Sequence, residues 1–232
     1  MHKVGFAFLV KRHFHNKNYL ETFFSSLNCD YEICVHSKSD MKFDLPFDVD
    51  YIPSIKTRWA TPSLVVATSM LFDHLFNKGC TIVYLMSGDM IPLRKCKKYV
   101  ERNRETTFQI QSKHNVPVSI KRYRIQQYNR TTPEFKLKVS KRNFTKQNMF
   151  FCMKKSDFYK IPVDVELFKG VHAVDEWFWV NSMKMYNLKY KNHDKYLYCN
   201  TSIFKTQALD YTKLPAPDID DNFLFLRKIK LE

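Results

Sequence analysis

The chain has 232 residues, 44% of them hydrophobic, with 20 Phe, 13 Tyr and 4 Gly. That length and apolar content argue against disorder and suit one large domain with a buried core, whereas the scarcity of glycine, with no G-x-G-x-x-G or Walker pattern, argues against a Gly-rich nucleotide loop. A formal net charge of +15 favours anionic partners such as phosphate-bearing molecules, nucleic acid or an acidic membrane face, with a lysine-rich solubilising surface as the plainer reading.

Val4 to Val10 reads as a strand buried on both faces. It is too short to span a membrane, and Lys11-Arg12-His13 follow it where a signal peptide would carry a small-residue cleavage site. Tyr19, Leu20, Phe23, Phe24 and Leu27 recur at three- and four-residue steps and predict a helix over Asn18 to Leu27. Tyr31 to Val35 predicts a second strand, and the stretch to Ile55, with Pro46 and Pro53, is turn-rich. The clearest helix starts at Thr61 as N-cap with Pro62 in the first position, carries Leu64, Ala67, Leu71 and Leu75 on one face, and closes at Gly79. A buried strand, Thr81 to Met86, follows and stops at Ser87-Gly88-Asp89, and Leu93 to Asn103 predicts a short helix.

Residues 112–147 are basic, without clear period, and carry two prolines, so a long surface excursion is expected there. Met149 to Met153 reads as a returning strand, Ser156 to Ile161 as a short helix, Asp175 to Met185 as a helix with an acidic first turn, and Tyr196 to Cys199 as a short strand. The alternation predicts an α/β fold with a largely parallel sheet, in one domain over residues 1–232. Six cysteines without a C-x-x-C pair or zinc-finger spacing read as free thiols. The paired carboxylates "DVD" (Asp48, Asp50) and "DID" (Asp218, Asp220) follow no apolar strand and suit polar turns, leaving Asp89 as a single carboxylate at a strand end.

Three stretches, in order, carry a resemblance: "RWATPSLVVAT" with the later "SGDMIPL"; "QNMFFCMKKSDFYKIPVD" with "VDEWFW"; and "FLFLRKI". Together they resemble the core-2/I-branching glucosaminyltransferase family over nearly all of the chain, Val4 to Ile229. The resemblance implies a GT-A-like three-layer α/β/α sandwich, Rossmann-like, and inverting, metal-independent transfer of a sugar from a nucleotide donor. UDP-linked GlcNAc or xylose are the first donors it suggests, with a glycan or glycoprotein as acceptor.

It implies a general base at Glu176 and a diphosphate-binding lysine at Lys228, beside Arg227, with Lys205 as a second cation. Val10 and His36, at strand ends, and Arg58, before the capped helix, are expected to face the donor; His36 stands where some members have an Asp on the uracil. Asp175 is a candidate for the acceptor, the base or a helix cap; Asp89 for sugar hydroxyls or a turn cap; Trp177 for a sugar face or the core. No divalent metal is expected, and the basic side chains take its place. Two other readings remain: a nucleic-acid-binding protein using "IKRYRIQQYNR", less favoured because no domain signature surrounds it, and a non-catalytic glycan-binding relative. No transmembrane stretch is seen, and a cytoplasmic location is expected.

Overall fold

The computed structural model describes residues 2–111, 117–199 and 223–227. In chain order its strands are β1 (Lys3–Val10), β2 (Asp30–Ser37), β3 (Asp50–Tyr51), β4 (Ile82–Ser87), β5 (Met90–Pro92), β6 (Thr107–Ile110), β7 (Gln147–Lys154), β8 (Lys191–Asn192), β9 (Leu197–Cys199) and β10 (Phe225–Arg227). The α-helices are α1 (Lys17–Ser26), α2 (Pro62–Asn77), α3 (Arg94–Arg102), α4 (Val118–Asn129), α5 (Pro133–Lys138), α6 (Lys155–Phe158) and α7 (Phe178–Met185). Seven strands form one sheet in the order β3-β2-β1-β4-β7-β6-β8. Only β7 runs against its neighbours, so the sheet is mostly parallel and the fold is α/β and Rossmann-like.

The period of two along β1 builds the layers. Phe6 and Phe8 point to one face, where their rings meet Phe24 of α1 at 5.0 and 6.4 Å. Gly5 points to the other, where an added Cβ would lie 2.8 Å from Val83 Cγ2 and 3.2 Å from Leu75 Cβ of α2. A large residue on one face and none on the other lets α2 lie close to the sheet. On that same side Phe72 of α2 meets Phe151 of β7 and Trp179 of α7, at 5.6 and 6.1 Å. α2 forms as its local signals dictate: Pro62 fills the first position, where no N–H is needed, and Gly79 adopts φ 90 just beyond the last turn.

Two expectations are corrected. Of the expected excursion over 112–147, the described part, 117–147, is not structureless. α4 and α5 form within it, Thr132 accepts a hydrogen bond from the Phe135 N–H as an N-cap, and Phe135, Val139 and Phe144 are buried. The helix predicted over Asp175 to Met185 is broken: a 3-10 turn, Val174–Glu176, precedes α7, and Trp177 at the junction has φ −121. The left-handed Ala173 (φ 55) sets the turn's entry, while the Trp177 ring is held flat on Phe144 with centroids 4.7 Å apart.

A three-stranded sheet, β5-β10-β9, completes the described fold. β10 runs antiparallel to β5, with Arg227 opposite Met90, directly after the Ser87-Gly88-Asp89 turn. Against that turn lies the loop that follows β1: His15 N–H donates to Gly88 C=O at 2.8 Å, and a Cβ on Gly88 would sit 2.7 Å from the His13 carbonyl oxygen. Backbone on both sides leaves little room to yield. Gly88→Ala is therefore expected to lower stability by about 1–3 kcal/mol in urea unfolding, in the range of other overpacking substitutions. A variant as stable as the parent would show that the loop gives way freely.

Candidate functional site

Because β1, β2 and β4 are parallel, their carboxyl ends meet at one edge of the sheet. β7 enters the same edge at its amino end, and β6 leaves there at its carboxyl end. A cleft of about 820 Å³ opens at this edge, the usual place for a ligand in an open α/β sheet. Its walls include Val10 at the end of β1 and Lys11 after it, His36 near the end of β2 and Lys38 after it, Ser87 of β4, and Arg58 and Trp59 before α2. Gln109 and Gln111, then Lys146, Gln147 and Asn148, line the opposite side, together with Glu176.

Val10, His36, Arg58 and Glu176, far apart in sequence, thus share one cleft. His36 is buried, and its Nε2 accepts a hydrogen bond from the Ile55 N–H at 3.1 Å. That bond requires an unprotonated Nε2, and burial lowers the imidazole's pKa in the same direction, so His36 is a neutral ring in the cleft wall. Arg58 is anchored through its backbone: its N–H donates to Ser63 Oγ at 3.0 Å, and its C=O accepts from Thr61 Oγ1 at 2.7 Å.

Glu176 Oε2 pairs with Lys146 Nζ at 2.7 Å, both side chains being about a quarter to a third exposed. Oε1 has no partner among the described residues. The residues next to this pair in sequence carry three buried polar atoms without a hydrogen-bond partner: Asp175 Oδ1, Gln147 Nε2 and Trp177 Nε1. Such atoms are uncommon in a folded interior. Burial, then the charge of Glu176, pushes the Asp175 carboxyl up to about 6, partly offset by its own backbone N–H and by Lys146.

Other expected site residues fall elsewhere. Trp177 is 1% exposed and stacked on Phe144, and Trp179 is buried against Phe72, so neither offers a face to a sugar; this corrects the stacking role expected of Trp177. Asp89 accepts a hydrogen bond from the Ser87 hydroxyl, and its backbone C=O accepts from Asn16 Nδ2 at 3.2 Å. Ser87 lines the cleft, and its bond to Asp89 is within the turn. Arg227 is described by its backbone in β10, and Lys205 and Lys228 lie outside the described residues. Asp50 is paired with His74 and Lys78 of the α2 region, each at 3.0 Å, and among the described residues no three His, Cys, Asp or Glu side chains are grouped to hold a metal.

Lys11, Lys38 and Lys146 were not singled out from the sequence. A signal was available: each adjoins the end of a strand that opens on this edge, where side chains face the cleft.

The Asp175 shift gives a pH signature. Its carboxyl lies at about 6 in the folded state and 3.8 otherwise. The folded state therefore binds the proton more tightly, and stability is lost as pH rises from about 4 through about 6. Asp175→Asn removes that dependence. Relative to the parent it should gain stability as pH rises, by at most about 3 kcal/mol at pH 7, with the difference closing near pH 4. Urea unfolding across this range reads it directly, and a pH-independent difference would contradict a buried carboxyl. A scan against protein-family models matches no family, and a search of curated proteins finds no match.

Proposed function

We propose that the chain is an inverting glycosyltransferase that moves a sugar from a nucleoside diphosphate donor, UDP-linked in the first instance, to a hydroxyl of a glycan. The supporting observation is the content of the cleft: Lys11 and Lys38 beyond the carboxyl ends of β1 and β2, Arg58 before α2, and one carboxylate, Glu176, held by Lys146. A diphosphate leaving group gathers negative charge as its bond to the sugar breaks, and fixed cations lower that barrier. Lys228 and Lys205 would add to them by the family resemblance.

In this reading Glu176 Oε1 takes the proton of the acceptor hydroxyl. The acceptor oxygen forms the new bond at the anomeric carbon from the face opposite the donor, and the electron pair of the broken bond leaves on the diphosphate. Lys146 fixes the carboxylate through Oε2, so the proton-accepting oxygen does not swing away. His36, neutral and buried at the end of β2, presents a ring on the donor side rather than a charge. Asp175, buried next to the base in the same turn, feels its charge.

The nucleic-acid reading draws on Lys121 and Arg122, exposed on α4. The tyrosine rings it needs are packed against the protein: Tyr123 lies against Trp177 with centroids 6.3 Å apart, and Tyr128 meets Phe144 at 5.5 Å. No described helix is long and apolar enough to cross a membrane.

Glu176→Gln is expected to lower kcat for transfer by about 10²- to 10⁴-fold with donor Kd nearly unchanged, measured by turnover and titration calorimetry. Full turnover in that variant would overturn the base assignment. Transfer should persist in EDTA, and strict dependence on a divalent ion would overturn the cationic account of the leaving group. Donor binding without turnover in the parent protein would leave the non-catalytic reading.

A further inference from the structure

We infer that Trp59 is the platform on which the ring of the acceptor sugar stacks, next to Glu176. The inference rests on the transferase reading and adds its acceptor subsite. Trp59 is 73% exposed, while the protein's other two tryptophans, Trp177 and Trp179, are each 1% exposed. A large indole left in solvent costs hydrophobic stabilisation, and here it stands at the wall of the cleft rather than on an open surface.

The indole is held in place. It lies nearly perpendicular to the His172 ring, with centroids 5.8 Å apart and planes at 76°, and His172 Nδ1 lies 3.1 Å from the Tyr123 hydroxyl. The backbone beside it is strained: Ala60 has φ 62 and Ala173 has φ 55, both left-handed without being glycine. The two are joined, the Ala173 N–H donating to the Ala60 C=O at 3.2 Å. Ala60 follows Trp59, and Ala173 opens the turn that carries Glu176. One hydrogen bond between two strained residues therefore fixes the platform relative to the carboxylate. Strain of this kind persists where the surroundings over-determine it, and it gathers at binding sites.

The occupant follows from the chemistry around it. Lys11 and Lys38 bring positive charge at the ends of β1 and β2, suited to phosphates. Near Glu176 the one cation, Lys146, is already paired with the carboxylate, and the rest of that wall supplies amides, Gln147 among them, whose Nε2 is buried without a partner. A flat aromatic face beside uncharged hydrogen-bonding groups suits the apolar face and the hydroxyls of a neutral pyranose.

Acrylamide quenching of tryptophan emission tests this, since the accessible part of the emission belongs to Trp59. The probes are uncharged methyl glycosides of galactose, N-acetylglucosamine and xylose, and separately UDP. At least one glycoside should reduce the quenching slope without any nucleotide present, and Trp59→Phe should abolish both the accessible component and the protection. In transfer assays Trp59→Ala should raise the acceptor KM about tenfold more than the donor KM. Protection by UDP and by no glycoside would overturn the inference and give the indole to the nucleotide. Equal effects on both KM values would also overturn it. Failure of the transferase reading itself shows otherwise: no nucleotide sugar would then raise the melting temperature of the parent protein or turn over, whereas the quenching measurement needs no donor.

Discussion

Everything the cleft contains depends on β1 lying between β2 and β4 with all three parallel. Parallel pairing sends every strand's carboxyl end to the same edge, and the side chains just beyond those ends converge without any single loop being long. The pairing is buried on both faces, which is why Val4, Phe6, Ala7 and Phe8 are fully enclosed. It also requires the contrast within β1, two rings toward α1 and a bare Gly5 toward α2. A shift of one residue in this strand would exchange those faces, driving the rings into α2 and withdrawing Val10 from the cleft.

The cleft is a division of labour in charge. Lysines stand at the ends of β1 and β2, on the side where a parallel sheet presents its loops. Across the gap, β6 and β7 contribute amides, and their neighbour Lys146 is already committed to Glu176. The Lys146–Glu176 pair is incompletely buried, so its worth lies in geometry more than in stability. Glu176 itself lies on a 3-10 turn rather than within α7, because Ala173 is left-handed and Trp177 is locked against Phe144. The broken helix that local periodicity does not foresee is therefore what brings the carboxylate to the cleft.

Much of the framework was legible in the sequence, for identifiable reasons. α2 announces itself through Thr61, Pro62 and Gly79, and β1 and β4 through uninterrupted apolar runs, all signals contained within a few residues. The order within residues 117–147 is not legible because the burial of Phe135, Val139 and Phe144 is decided by distant partners. Phe168 lies 5.0 Å from Phe135, and Trp177 lies on Phe144, while the intervening lysines hide the pattern. At the site, position along the strands led to Val10 and His36, and the resemblance led to Glu176. Residue type leaves Trp177 open between a sugar face and the core, and burial decides for the core, while the exposed indole belongs to Trp59. Lys11, Lys38 and Lys146 were lost among many lysines, since only topology separates a cleft cation from a solvated one.

The pairing of β10 with β5 bears on the order in which the protein assembles. Met90 follows the turn at the end of β4, but its partner Arg227 is more than half the chain away. During vectorial synthesis β1, β2 and β4 can pair as soon as they emerge, whereas β5 must wait as an unpaired edge until the last described strand arrives. The nascent chain thus exposes a short apolar strand, Met-Ile-Pro, for most of its elongation, with Pro92 as the one residue there unable to donate to a foreign strand.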